Sequence, residues 1–142
     1  MQNGLTLAST IRDAAASITA FNAAMPGGIY FYGQTEGEYR SIEEHRNALS
    51  VDQALVAHEA TTQGDDWPWT HRFKVYIYRE SLADMYAALA ALVNGAPYGA
   101  GLDWPNYSFS NEVDPMFGTN MAFEQRADGI DVMVFSFDLQ ER

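Results

Sequence analysis

Hydrophobic and polar positions follow two different periods along this chain, and the switches between them mark out its elements. Leu7, Ile11, Ala14, Ile18 and Phe21 recur at spacings of four, three, four and three, which places them on one helical face, with Ser9, Arg12, Asp13 and Ser17 on the other. Met25-Pro26-Gly27-Gly28 ends that helix, because proline cannot continue the hydrogen-bond ladder and glycine favours a turn. Ile29 to Gln34 is a short aromatic and β-branched run that reads as a strand. The polar stretch that follows is ambiguous. Ser41 with Glu44 matches a capping box and allows a short helix, while a loop or an extended hairpin arm over 34–50 fits equally well. Residues 53–63 read as a strand leading to a turn at Gly64-Asp65-Asp66.

The clearest unit comes next. Phe73, Val75 and Ile77 alternate with Arg72, Lys74, Tyr76 and Tyr78, the period of a strand with one apolar and one amphipathic face. Ser81, with Asp84 three residues on, predicts the start of a helix. Its apolar positions are Leu82, Met85, Tyr86, Leu89, Leu92 and Val93, and Asn94-Gly95 and Pro97 end it. From Tyr98 to Met121 the chain is rich in Gly, Pro, Asn and aromatics, with a short strand possible at Tyr107–Ser110. A loop of that length inside a compact domain calls for a role or a partner. Met121–Arg126 and Ile130–Leu139 then predict a hairpin around Ala127-Asp128-Gly129. In its second strand Ile130, Val132 and Val134 occupy one face and Met133, Phe135, Phe137 and Leu139 the other. Such a strand is central or covered on both sides. The pattern as a whole predicts one α+β domain over 1–142. It is a mostly antiparallel sheet packed by two helices, with a long polar arm or hairpin and a long aromatic loop.

Composition narrows the possible functions. A chain of 142 residues, 47% hydrophobic and 19% charged, is globular and long enough to bury roughly two-thirds of its unfolded surface. Its formal net charge of −11 repels phosphate and argues against nucleic-acid binding by charge neutralisation. The absence of cysteine excludes disulfides, thiolate metal sites and cysteine nucleophiles. No secretory signal pattern opens the chain, and no run approaches the roughly 18 apolar residues of a membrane span, so cytoplasmic synthesis and no membrane partner are expected.

Candidate chemistry is sparse. His45, His58 and His71 lack ligand partners at helical spacing and read as satisfied surface or core side chains. His58 and Glu59, adjacent on a strand, point to opposite faces. Of the carboxylate pairs Glu36/Glu38, Glu43/Glu44, Asp65/Asp66 and Asp128/Asp131, most sit in predicted turns of an acidic protein, where a solvated face is the default. Nucleophile elbows, phosphate loops and dinucleotide fingerprints are missing. No catalytic residue, metal or cofactor is therefore expected. Asp65-Asp66-Trp67-Pro68-Trp69 is either a binding tip or a cover for the sheet edge.

The order of these features resembles the small tail terminator and tail completion proteins of long-tailed bacteriophages. The alanine-rich first helix, the Phe73-Lys74-Val75-Tyr76-Ile77-Tyr78 strand running into a capped helix, and the closing strand Gly129 to Leu139 carry the likeness. The resemblance implies a structural virion protein, assembled in the host cytoplasm, that closes the tail tube as a ring, commonly of six copies. Its partners would be further copies of itself, the tail tube protein and the head–tail connector protein, with DNA passing through the lumen without specific binding. A ring needs two different patches per subunit. Glu36, Glu38 and Tyr39 on the polar arm, and Trp67, Trp69, Trp104 and Tyr107 on the aromatic segments, are the candidate interface residues. Two other readings stand beside this one. The first is an acidic inhibitor or immunity protein for a basic partner. The second is an enzyme or small-ligand binder with a pocket around Trp67, Trp69, Trp104 and Tyr98.

Overall fold

The computed structural model describes residues 3–63, 69–95, 107–109 and 121–141. In chain order the elements are α1 (Gly4–Ser17), α2 (Thr19–Ala24), β1 (Gly28–Phe31), α3 (Ile42–Asn47), β2 (Gln53–Gln63), β3 (Trp69–Tyr78), α4 (Leu82–Val93), β4 (Tyr107–Phe109), β5 (Met121–Gln125) and β6 (Asp131–Glu141). The α+β class is as the sequence predicts. The first predicted helix is divided, however. Ile18 is extended, at φ −76° and ψ 105°, and separates α1 from α2. Just before the break, the Ser17 hydroxyl donates to the Ala14 carbonyl at 2.6 Å, a side-chain bond that competes with the helical ladder.

The sheet runs β1-β2-β3-β6-β4, and β5 also pairs with β6. β1 is parallel to β2 and every other pairing is antiparallel. β5 takes Asp131–Phe135 of β6 and β4 takes Leu139–Glu141, so the two lie end to end along one edge. The doubly apolar closing strand is thereby internal, as its pattern predicts.

One face of the sheet is built from Ala54, Val56, Phe73, Val75, Ile77, Met133, Phe135, Phe137 and Leu139 and lies under α1, α2 and α4. Phe73 and Phe137 stack with ring centroids 5.6 Å apart, and Phe135 lies 5.5 Å from Phe137. Helix α4 begins as predicted, its Ser81 Oγ accepting from the Asp84 amide at 3.1 Å. Among the described residues no helix is long and apolar enough to cross a membrane.

The second face carries Leu55, Ala57, Tyr76, Val132 and Val134, with Leu49 packed on it. Here the predicted polar arm takes a different form. Residues 33–41 are turns and bends, and Ser41 starts α3 by accepting from the Glu44 amide at 3.1 Å. Buried Arg46 on α3 donates to Glu124 of β5 at 2.6 Å, and Arg126 reaches the Leu49 carbonyl at 2.6 Å. These charge-assisted bonds fold the segment back onto the sheet instead of leaving it extended. The part that does run past a neighbour is β2, beyond the end of β1. β1 pairs with β2 only over Gln53–Val56, so 57–63 have a strand partner on the β3 side alone among the described residues. A register shift between His58 and Ala60 bulges this open edge.

Packing sets a clear stability contrast. Phe73 is fully buried, so Phe73→Ala is expected to cost about 3–5 kcal/mol in denaturant unfolding. Phe123 on the edge is 37% exposed, and its alanine variant should cost about 1 kcal/mol. Equal losses at both positions would contradict this core assignment.

Candidate functional site

A cleft of about 650 Å³ opens where the first turn of α1, the turns at 33–39, α3 and the middle of β2 converge. Its floor depends on a close approach. Asn3 caps α1, its Oδ1 accepting from the Leu5 amide at 2.8 Å, and this holds the helix start directly over His58. A Cβ on Gly4 would sit 2.5 Å from His58 Nδ1, so any larger residue there must push the imidazole away.

His58 belongs to a proton-sharing cluster that spans the hairpin. Its Nε2 lies 3.1 Å from His71 Nδ1, and the Thr61 hydroxyl is 3.0 Å from each of those nitrogens. The β2 bulge allows this, since it pairs Thr61 with His71 across the strands while His58 stays opposite Phe73. Desolvation, and then the neighbouring His71, lower the His58 pKa below its usual 6.5.

On the opposite wall Tyr39 stacks on His45 with ring centroids 4.0 Å apart and planes 14° apart. Tyr32 lies against the same imidazole at 6.4 Å. Burial lowers the His45 pKa, opposed in part by Glu38, while desolvation and then Glu38 raise that of Tyr39. A second depression of about 440 Å³ adjoins the first and shares Gln34, Thr35, Glu38, Tyr39 and His45, so the ring stack separates the two.

The charges in the cleft are unbalanced. Arg12, Arg46, Arg72, Lys74, Arg79 and Arg126 all pair with carboxylates elsewhere in the chain. Among the described residues no lysine or arginine pairs with exposed Glu36 or Glu38. No group of three or more His, Asp or Glu is arranged to hold a metal ion among the described residues.

Of the residues singled out from the sequence, Glu36, Glu38 and Tyr39 come together here. Trp69 is half-buried at the start of β3, paired with Gln63 at the far end of the hairpin. Tyr107 opens β4 opposite Glu141, across the sheet from the cleft. Trp67, Trp104 and Tyr98 lie outside the described residues, as do the Asp65-Asp66 turn and nearly all of the aromatic loop. Sequence reasoning missed the roles of Leu5, Tyr32, His45 and His58 in the walls. A signal for the histidine cluster was present, because His58 and His71 have the strand parity of Val56 and Phe73 and so share the helix-covered face. Comparison with protein-family models, curated proteins and solved structures found no match to the chain.

The lowered imidazoles give stability a pH dependence of definite sign. Folded His45 and His58 resist protonation, so below the ordinary value of 6.5 the unfolded chain binds more protons and stability falls with pH. Melting temperature should therefore decrease from pH 7.5 to 5.5, and His58→Gln should make that slope shallower. An unchanged slope in the variant would show that His58 stays accessible to protons in the fold.

Proposed function

We propose that this chain is a structural virion protein. It closes the end of a bacteriophage tail tube as a ring and joins the tube to the head–tail connector. The observation that supports this most is a pair of non-equivalent open sheet edges. Among the described residues the outer edge of β2 is open over 57–63, and on the opposite side of the sheet so is the outer edge of β5. Unpaired N–H and C=O groups of a strand edge are a template for another strand. Two different edges meeting head to tail generate a closed ring if the rotation closes, whereas a single self-complementary edge stops at a dimer.

The electrostatics suit the same role. With six of its cations paired internally and a net charge of −11, the chain presents an acidic surface that DNA crosses without adhering. The resemblance to tail terminators supplies the remainder: the ring of six copies, the tube, the connector and the virion location. One observation favours a second reading, an acidic inhibitor or immunity protein. It is the carboxylate-bearing cleft, which suits a basic partner held in a one-to-one complex.

The test is capping. Added to purified tail tubes, the chain should bind one end as a ring visible by electron microscopy, and Thr62→Lys on the open β2 edge should abolish capping. Unfolding free energy should change by no more than about 0.5 kcal/mol in that variant, since Thr62 is exposed. A chain that stays monomeric with tubes and connector present would overturn the proposal. A salt-sensitive one-to-one complex with a basic protein would replace it with the second reading.

A further inference from the structure

We propose that the cleft between α1, the 33–39 turns and α3 receives an arginine side chain presented by a different protein. Shape comes first. The space is about 650 Å³ and open to solvent, with an apolar and aromatic lining from Leu5, Tyr32 and Tyr39. That is ample room for one extended side chain and part of the loop bearing it. The chemistry of the rim then selects a cation. Glu36 and Glu38 both line the space and have no intramolecular cation among the described residues.

A planar cation fits better than a compact one. The Tyr39–His45 stack presents flat rings beside those carboxylates, and guanidinium both stacks on such faces and forks to carboxylate oxygens. His45 does not oppose it. Burial lowers the pKa of this imidazole, which disfavours a second positive charge beside the ligand.

The described residues leave the arginine to come from outside the chain. Arg12, Arg46, Arg72, Lys74, Arg79 and Arg126 are each paired already. Arg40 is exposed and directly follows Tyr39, a lining residue of the cleft, in the chain. A second copy offering Arg40 would have to press its own acidic turn against this one, which like-charge repulsion opposes. This inference goes beyond the ring reading, because it assigns the cleft a ligand that ring closure does not require.

The probe is the capped tetrapeptide acetyl-Gly-Arg-Arg-Gly-amide, titrated into the isotope-labelled chain at 150 mM salt and followed through backbone amide shifts. Saturable shifts are expected at Gly33–Tyr39 and His45, with no change in the β5–β6 hairpin. Glu36→Gln/Glu38→Gln should weaken binding about five- to tenfold. Glu80→Gln/Asp131→Asn, which removes the same charge from exposed sites elsewhere, should leave it unchanged. The citrulline peptide, which keeps the shape but loses the charge, should not bind. Shifts spread over the acidic surface, equal weakening in both double variants, or no saturation would overturn the proposal. Self-association that disappears in Glu36→Gln/Glu38→Gln would overturn it in favour of a second copy. The peptide is read at concentrations where the chain elutes as a monomer, so failure of tube capping and failure of cleft binding are separate results.

Discussion

Three adjacent strands that are apolar on both faces govern the rest of this molecule. β2, β3 and β6 put Ala54, Val56, Phe73, Val75, Phe135 and Phe137 on one side and Leu55, Ala57, Tyr76, Val132 and Val134 on the other. Neither side can be left in water, since each buried large side chain is worth about 1.5–3 kcal/mol. The helices α1, α2 and α4 cover the first side. The second is left to a six-residue helix and the turns before it, and that shortage of cover determines what the polar segment must do.

Cations fasten the thin cover. Arg46 and Lys74 converge on Glu124, with the Tyr76 hydroxyl 3.5 Å from the same carboxylate, so α3, β3 and β5 meet in one network. Burial, and then Glu124, push the Tyr76 pKa well above its ordinary 10.0 and keep the phenol neutral. Arg126 adds a bond to Leu49 and lies over the Tyr78 ring at 5.0 Å. Basic side chains used in this way are not offered to solvent, and the acidic excess of the chain becomes its surface property. The same α3 that seals the second face also brings His45 against Tyr39, so the cleft is a by-product of covering the sheet.

Much of the fold was legible because period and punctuation agreed. The strand at 73–78, the Ser81 cap and the doubly apolar run from Val132 to Leu139 all sit where their patterns predict. The break at Ile18 was not legible, since the helical spacing of Leu7, Ile11 and Phe21 runs through it and a local Ser17 bond accompanies it. The course of 34–50 was half legible. The capping box marked α3, but its docking depends on Arg46 meeting Glu124, a partner 78 residues away that local pattern cannot reveal. For the cleft, the acidic turn was visible as Glu36, Glu38 and Tyr39. Its histidines required the register of β2 against β3, including the bulge.

The central claim is that two different sheet edges join neighbouring copies, and the cysteine-free chain makes it directly measurable. Thr62→Cys on the β2 edge and Gln125→Cys on the β5 edge can be combined in one chain and oxidised together with tail tubes. Edge-to-edge assembly predicts a ladder of cross-linked species ending in one closed ring, with Thr62→Cys alone giving no cross-link. Cross-linked dimers of Thr62→Cys alone, or a double variant that stays monomeric on capped tubes, would contradict it.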